Sequence, residues 1–356
     1  MKKIVFTISI LLSFIWSFGQ IPQGYYNTAT GLSGEQLQSA LHNIIDGHNV
    51  ESYSDLWSDF EQTDKKSNGY VWDMYSDIYG GNPPYNYTFF SDQCGNYGGE
   101  GDCYNREHSF PKSWFGGTVS PMYTDLFHLV PTDGYVNNKR SNYPYGEVGN
   151  VNWPSLNGSK VGSCNYPGYS GIVFEPIDEY KGDFARNYFY MATRYYQEDS
   201  NWPGSAMVNG AQPKPWALEL LNDWHESDPV SPKEVNRNEA VYDIQNNRNP
   251  FIDHPEFVNQ IWFNSGIDYD FEMFKSKISV YPNPVSDICN ISFSSSFNIN
   301  YIEYSLTDLL GKPQETNFTI CGQSIKINTL DLSQGIYFLK ITDKSVGTEV
   351  VFKIVK

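Results

Sequence analysis

Basic residues are scarce in this chain, whose 356 residues contain 24 Lys and Arg against 41 Asp and Glu. The net charge is −17; residues 278–356 contribute −1 and two N-terminal lysines contribute +2, which leaves −18 for the residues between. Because nucleic-acid affinity usually depends on Lys and Arg, this balance counts against a protein held to its partner by many phosphate contacts. A divalent cation and a local basic patch remain ways to hold a polyanion.

Several catalytic and metal-binding motifs are also missing. No CxxC pair occurs, which argues against a zinc ribbon. No HExxH, GxSxG or P-loop motif occurs, so a zinc protease, an α/β-hydrolase and a nucleoside triphosphatase are poorly supported. The five cysteines fit an oxidising compartment but cannot all pair. Two disulfides are expected, one in each part of the chain. The first would join two of Cys94, Cys103 and Cys164, and the second would join Cys289 and Cys321. One thiol would then remain.

Long apolar runs are absent after the N-terminus. Lys2 and Lys3 precede an apolar segment at 4–16, which is the pattern of a signal peptide cleaved near Gly19. The segment is shorter than the roughly 20 residues that a membrane span needs. We therefore predict a signal peptide at 1–19 and an exported, extracellular or cell-surface protein with no integral membrane segment.

The rest of the chain has two parts with different patterns. Residues 20–265 mix helical stripes, tyrosine-rich loops and Gly/Pro turns, whereas residues 278–356 alternate apolar and polar residues between turn signals. Alternation of that kind predicts a small antiparallel β-sandwich. Residues 266–277 are the predicted linker between the two domains.

Three apolar stripes in the first part predict helices. One stripe follows Ser33 and begins with Leu37, and a second occupies Asp183–Gln197. The third helix is predicted after Ser231, where Ser-Pro-Lys-Glu combines a cap, a proline at the first position and the glutamate of a capping box. We expect these stripes to pack in the core rather than to carry chemistry.

Polar residues that can carry chemistry concentrate between 105 and 146. Phosphodiester hydrolysis needs an activated water, a cation at the phosphate and a stabilised leaving oxygen. His108 can accept a proton near neutral pH. Glu107 and Asn137 offer the hard oxygen ligands that suit Mg²⁺. Because neighbouring side chains of a strand point to opposite faces, Glu107 and His108 can serve one site only from a strand end or a loop.

Three runs in this region resemble a known family. The runs are Glu-His-Ser-Phe-Pro-Lys-Ser at 107–113, Thr-Asp-Leu-Phe-His-Leu-Val-Pro at 124–131 and Val-Asn-Asn-Lys-Arg-Ser-Asn at 136–142. In this order they resemble bacterial endonuclease I, a periplasmic or secreted family with a ββα-metal (His-Me finger) site. The segment at 71–76 is similar to the family's first strand region. The resemblance covers nearly all of residues 21–265.

The resemblance implies an α+β fold, with a ββα-metal core and added helices before the β-sandwich. It implies that Glu107 and Asn137 bind Mg²⁺, with Ca²⁺ and Mn²⁺ as alternatives, and that His108 is the general base for attack by water. The expected activity is endonucleolytic cleavage of DNA, and of RNA as a further candidate substrate, without sequence preference and by a monomer.

The sequence departs from the family at two places. The family often has histidine where Phe127 stands, which leaves open whether His128 steadies the site or contacts phosphate. The insertion that supplies a transition-state arginine is shorter here and contains none, so Arg140 is the candidate for that role, with Arg248 as the alternative. His128, Lys139 and Arg248 are candidate substrate contacts, although Lys139 also fits an ordinary solvated surface.

The tail carries a second resemblance through its runs at 280–284, 309–312 and 335–341. It is similar to the C-terminal sorting domain of the type IX secretion system, which implies two-step export from a bacterium of the Bacteroidetes type and a secretion machinery as partner. A generic carbohydrate- or protein-binding sandwich is the alternative.

A different class of function also suits the composition, namely a secreted glycan-binding or adhesion protein without catalysis. Its support is the aromatic content of 16% and the acidic balance, since aromatic rings pack well on sugar rings. That alternative offers no reason for the arrangement of Glu107, His108 and Asn137.

Overall fold

The computed structural model of the chain describes residues 21–263, 274–275, 278–293, 302–322, 324–344 and 348–356. Its described residues divide into two compact units. The first contains 21–31 and 38–258, and the second contains 32–37 and the described residues from 259 onward. The predicted signal peptide and all but two residues of the predicted linker lie outside the described residues.

The helices before residue 264 are α1 (Gly34–Ile45), α2 (Leu56–Thr63), α3 (Gly134–Arg140), α4 (Lys181–Arg194), α5 (Pro215–Ser227), α6 (Pro232–Gln245) and α7 (Pro250–Asp253). The three predicted helices correspond to α1, α4 and α6. The capping box of α6 is confirmed, because Ser231 and Glu234 each accept a hydrogen bond from the other's backbone N–H. α4 ends at Arg194, three residues before its predicted end.

α4 is buried along its whole length, which its single apolar stripe did not predict. Its polar side chains have partners inside the first unit. Arg186 donates to both carboxylate oxygens of Glu234, at 2.5 and 2.9 Å, and Lys233 donates to Asp183. Buried charges are tolerated only when such partners compensate for lost hydration. α4 is therefore the central helix of this unit and contacts α5 and α7.

Two antiparallel strands and one helix build the part of the first unit that matters for function. β1 (Tyr104–His108) pairs with β2 (Leu129–Asp133), and α3 follows β2 directly and packs against both strands. The connection between the strands includes short 3₁₀ turns at Lys112–Trp114 and Met122–Thr124. Residues 71–76, which we matched to a strand region, form a bridge at Val71 and a turn instead.

Two further sheets complete the first unit. β3 (Val148–Pro154), β4 (Lys160–Cys164) and β5 (Ile172–Glu175) form an antiparallel sheet in that order, and β6 (Val208–Asn209) pairs with β7 (Gln212–Pro213). Helices and antiparallel strands therefore share one unit, in agreement with the predicted α+β class.

The second unit contains β8 (Ile278–Tyr281), β9 (Ile288–Phe293), β10 (Ile302–Asp308), β11 (Phe318–Cys321), β12 (Ser324–Asn328), β13 (Ile336–Asp343) and β14 (Thr348–Val355). The strands form two antiparallel sheets, in the orders β11-β12-β9-β8 and β10-β13-β14. Inward residues of both sheets, such as Ile291 and Leu339, meet in one apolar core. Alternation along the sequence thus predicted this part correctly, since one face of each sheet is buried.

The cysteines follow the prediction in one part of the chain only. Cys94 and Cys103 form a disulfide, and Cys164 is unpaired. Cys289 is unpaired and buried. β12 lies between the strands of Cys289 and Cys321, which places the two residues beyond the Cα separation that a disulfide can bridge. The disulfide considered for the tail therefore does not form.

Candidate active site

A cleft of about 310 Å³ opens at the end of β1, and its lining includes Arg106, Glu107, His108, Lys112, Asn137 and Arg140. His108 is the last residue of β1, and the chain leaves the strand direction after it. Both neighbouring residues line this cleft, as the strand-end argument requires. The three residues assigned to metal binding and proton transfer from the sequence lie together.

Glu107 is a buried carboxylate with two donors on one oxygen. Its Oε1 accepts hydrogen bonds from the Tyr75 hydroxyl at 3.0 Å and from Nη1 of Arg140 at 2.8 Å. Burial raises the pKa of Glu107 to about 7, although Arg140 acts in the opposite direction. Burial also disfavours the charge on Arg140, but Glu107 keeps the pKa of that guanidinium above its usual value. The carboxylate is thus oriented by two groups and gains from a further cation beside it.

His108 is held by its backbone surroundings and by aromatic rings. Nε2 lies 3.1 Å from the carbonyl oxygen of Tyr123, and the imidazole stacks on the Tyr123 ring at 5.2 Å. A carbonyl only accepts, so Nε2 carries the proton and Nδ1 carries the lone pair. Burial, followed by the nearby His128, lowers the pKa of His108 well below its usual value. The imidazole is therefore neutral at pH 7 and able to accept a proton.

Asn137 is oriented by another amide. Its Nδ2 donates to Oδ1 of Asn105 at 2.8 Å, which leaves the Asn137 carbonyl oxygen as the group it can offer a ligand. Asn105 lies on β1 and Asn137 on α3, so this hydrogen bond also ties the helix to the strand.

The start of α3 is fixed by a buried carboxylate network. Asp133 caps the helix by accepting from the Val136 N–H at 2.8 Å, and its own N–H donates to Asp73 at 2.8 Å. Burial, with Asp133 as a second cause, raises the pKa of Asp73 to about 7. Gly134 permits this packing, because a Cβ there would lie 2.6 Å from the Tyr97 ring. The helix that carries Asn137 therefore has one defined position against β2.

The donor set fits a hard divalent cation. Glu107 supplies a buried carboxylate whose pKa stays raised despite Arg140, and Asn137 supplies an amide oxygen. Oxygen ligands in small number are what Mg²⁺ prefers, since it keeps several waters. Another potential metal-ligand group, His42, Asp46 and Glu198, has its ligand atoms within 4.8 Å of one another. Arg194 already pairs with both of those carboxylates, which makes a cation there less favourable.

Arg140, the predicted transition-state arginine, is buried, and both of its Nη nitrogens donate to protein groups at the end of β1. Besides Glu107, its guanidinium donates to the carbonyl oxygens of His108 at 3.0 Å and Ser109 at 2.6 Å. Only 1% of Arg140 is exposed. These contacts make Arg140 a positioning residue in this structure, because its Nη donors are directed at protein acceptors.

The three candidate substrate contacts lie outside the lining of the cleft. His128 is buried, with Nε2 2.7 Å from the Met122 carbonyl oxygen, so it supports the site from behind His108. Arg248 is buried and paired with Asp253 and Glu239. Lys139 lies over the rings of Tyr135 and Trp153, at 4.9 and 5.9 Å. Only Lys139 therefore keeps a partly exposed position.

Sequence reasoning missed several residues that organise the site. Tyr75 and Asp73 are distant in sequence and carry no local signal of their role. Asp133 could have been found, because an aspartate followed by glycine at the start of a helix is a capping signal. Arg106 had no predicted role, yet it lines the cleft directly beside Glu107.

The model of the Endonuclease I family matches residues 33–256 of the chain. The chain belongs to the endonuclease I family. Residues 279–356 match the model of the secretion system C-terminal sorting domain, which confirms the second resemblance.

Similar curated proteins agree with the assignment. The chain is 40% identical over 248 residues to an extracellular ribonuclease of Bacillus amyloliquefaciens, covering 67% of this chain and 78% of that protein. It is 38% identical over 249 residues to an extracellular ribonuclease of Bacillus subtilis, with the same coverage. An Endonuclease-1 of Buchnera aphidicola is 27% identical over 130 residues, 36% of this chain and 44% of that protein.

The protein is therefore a secreted nuclease, a hydrolase that acts on nucleic acids, located extracellularly or at the cell surface. Among the described residues, no helix has both the length and the apolar character needed to cross a membrane. Because the chain belongs to a nuclease family, the alternative function, a glycan-binding or adhesion protein without catalysis, is not supported.

Proposed function

We propose that this nuclease is a metal-dependent endonuclease that hydrolyses phosphodiester bonds in DNA and RNA without sequence preference. One observation carries the proposal, which is that Glu107, His108 and Asn137 line the same cleft. A general base beside two hard oxygen ligands is what water-dependent phosphodiester cleavage requires.

His108 acts as the general base in this proposal. With Nε2–H donating to the Tyr123 carbonyl oxygen, Nδ1 takes the proton from water as its oxygen attacks phosphorus and the bond to the leaving oxygen breaks. The stacked Tyr123 ring and the hydrogen bond together hold the imidazole in one orientation. The lowered pKa keeps the base unprotonated at neutral pH.

Glu107 and Asn137 would hold Mg²⁺, with Ca²⁺ and Mn²⁺ as alternatives. The ion would supply positive charge against the phosphate oxygens. The protein's contribution is orientation: Tyr75 and Arg140 hold the Glu107 carboxylate, and Asn105 directs the Asn137 carbonyl oxygen. Partners of this kind fix ligand geometry before binding, which strengthens metal affinity.

Both DNA and RNA are proposed substrates because the similar proteins bear both kinds of name, extracellular ribonuclease and Endonuclease-1. Cleavage without base recognition is consistent with both, since the phosphodiester is common to them. The charge of −18 on the central segment also limits binding to few phosphate contacts, because a polyanion is repelled at long range.

A degradation assay tests the proposal. Plasmid DNA, single-stranded DNA and RNA are incubated with Mg²⁺, Ca²⁺, Mn²⁺ or EDTA, and we expect cleavage of all three with Mg²⁺ and none with EDTA. His108→Ala should lower the rate by about 10²–10⁴-fold, the usual contribution of a general base. His254→Ala is the matched control, since this partly exposed histidine lies outside the cleft.

Two results would contradict the proposal. Full activity in EDTA would exclude metal dependence, and a His108→Ala variant that keeps more than half of the wild-type rate would exclude the assigned base. A small set of fixed cut sites on a sequencing gel would show base recognition instead of non-specific cleavage.

A further inference from the structure

We propose that Arg106 is the phosphate-binding residue of the cleft, with Tyr53 and Trp57 holding its guanidinium in place; this rests on the proposed nuclease function. Three basic residues line the cleft, namely Arg106, Lys112 and Arg140. Both Nη nitrogens of Arg140 already donate to Glu107 and to backbone carbonyls, and its Nε is buried. The cation available to a substrate must therefore be one of the other two, and Arg106 has the fixed position.

The position of Arg106 is set by two aromatic rings. Its guanidinium carbon lies 3.6 Å from the ring centre of Tyr53 and 4.3 Å from that of Trp57. Nη1 also donates to the Tyr53 carbonyl oxygen. Trp57 is held in turn by edge contacts with Phe60 and Tyr104. A flexible side chain with large rotamer freedom is thus ordered before any substrate arrives, which lowers the entropy cost of binding.

Aromatic contacts hold the cation without neutralising it. Cation–π attraction comes from the ring quadrupole, so the guanidinium keeps its full charge. None of the carboxylates in the described ranges forms an ion pair with Arg106, whereas each of the other five arginines pairs with an acid. A guanidinium has five N–H donors, and the edges not facing the rings can bind two phosphate oxygens at once.

Arg106 also has the right place relative to the general base. Residues 106 and 108 lie on the same face of β1, about 6.6–6.8 Å apart along the strand. The ring of Tyr53 stacks on Tyr123 at 4.5 Å, and Tyr123 stacks on His108 at 5.2 Å. One continuous stack therefore connects the guanidinium with the imidazole, and both residues line the same cleft. We expect a phosphate bound by Arg106 to be within reach of the water that His108 activates.

The test measures binding in a background that does not cleave. A labelled DNA duplex is titrated at several salt concentrations with the full-length His108→Ala protein. The same titration is made with three double variants, in which His108→Ala is combined with Arg106→Gln, Arg106→Lys or Lys65→Ala. Each phosphate contact on duplex DNA contributes about −0.9 to the slope of log affinity against log salt. Arg106→Gln should therefore make the slope shallower by roughly one contact and weaken binding about 10–100-fold at low salt.

The other variants separate charge from geometry. Arg106→Lys keeps the charge but loses the planar fork, so we expect most of the slope with weaker affinity. Lys65→Ala removes one exposed positive charge outside the cleft and should leave the slope unchanged. If Arg106→Gln folds poorly by circular dichroism, Tyr53→Leu tests the holding role: it should weaken binding at nearly unchanged slope.

Outcomes for the two proposals remain distinct. An unchanged slope and affinity in Arg106→Gln, or an equal loss in Lys65→Ala, would overturn the role of Arg106 while wild-type cleavage still supported the nuclease mechanism. If Tyr53→Leu binds as tightly as its parent, the holding role is wrong. Absence of Mg²⁺-dependent cleavage by the wild type would instead overturn the proposed function.

Discussion

The two units of the chain bury different kinds of side chain. The first unit buries complete ion pairs, and Arg140, Arg186 and Arg248 are among its largest fully buried side chains. In the described part of the second unit the core is apolar, and its ion pairs, such as Lys340–Glu349, are exposed. Buried charge orients neighbouring groups and shifts their pKa values, which a catalytic site needs. An apolar sandwich needs only the alternation of apolar and polar residues along its strands.

The largest expected contrast concerns ion pairs. Arg140→Met leaves the buried Glu107 carboxylate without its cation, and breaking a buried pair in this way costs about 3–5 kcal/mol. Lys340→Ala breaks an exposed pair in the second unit and should cost about 0–1 kcal/mol. Urea unfolding of the full chain, followed by a probe in each unit, measures both. Equal losses in the two variants would remove the contrast between the units.

A smaller effect is expected for Asn105, which directs the proposed ligand Asn137 without touching the ion. Asn105→Ala should weaken Mg²⁺ binding about 10–100-fold, as loss of a ligand's supporting partner commonly does. Calorimetric titration measures it, with Asn137→Ala as the reference for loss of the ligand itself. An unchanged Mg²⁺ affinity in both variants would show that Asn137 is not a ligand.

The pH dependence of stability provides a further contrast. Burial, and then Arg186, lowers the pKa of His225 to about 4. Its Nδ1 accepts from Arg186 at 3.3 Å, so a proton there would face a cation. Because the unfolded histidine titrates near 6.5, the unfolded state binds more protons between pH 6.5 and 4, and stability falls as the pH decreases through this window.

This loss can be isolated with His225→Gln, which does not titrate. Between pH 7 and pH 5 the wild type should lose about 2 kcal/mol more than the variant, since a full pH unit inside the window is worth about 1.4 kcal/mol. Buried carboxyl groups with raised pKa values act in the opposite direction, but they are common to both proteins. Parallel stability curves for the two proteins would refute the assigned role of His225.

The smallest effect is expected from removal of the tail. Every residue that lines the cleft lies between positions 53 and 142. Deletion of 278–356 should therefore leave a folded protein whose rate on DNA is within about twofold of the full chain, with export past the outer membrane lost. Circular dichroism and the degradation assay measure the first part, and cell fractionation the second. An unfolded truncated protein would show that the first unit depends on the second.

Local patterns predicted those parts whose structure depends on neighbours in sequence. The capping box at Ser231 and the alternating strands of the tail have this property, because hydrogen bonds to the next turn and burial of one face act over a few residues. Neighbouring side chains of a strand point to opposite faces, so the sequence predicted that Glu107 and His108 can serve one site only from a strand end or a loop. Motif order identified the family, although no single motif would have done so.

Contacts between distant segments were not predictable in the same way. The contacts of Arg140 with Glu107 and with backbone carbonyls could not be predicted from the sequence, because burial and partners decide whether a guanidinium is available. Tyr75 lies about 30 residues before Glu107 in the sequence, and only the tertiary fold brings its hydroxyl within hydrogen-bond distance of that carboxylate. The second disulfide failed for a similar reason, since one intervening strand separates Cys289 from Cys321.

By itself, the sequence determined the family, the C-terminal sorting domain and the extracellular or cell-surface location. It also predicted the three residues at the centre of the proposed site. Only the tertiary structure decided which partners each charged side chain of the cleft has. Arg106 and Arg140 have the same charge and lie in the same motif region, yet one stacks between Tyr53 and Trp57 and the other is enclosed by carbonyls and Glu107. The physical reason is that charge belongs to the residue type, whereas desolvation and hydrogen-bond partners are set by packing over long sequence distances.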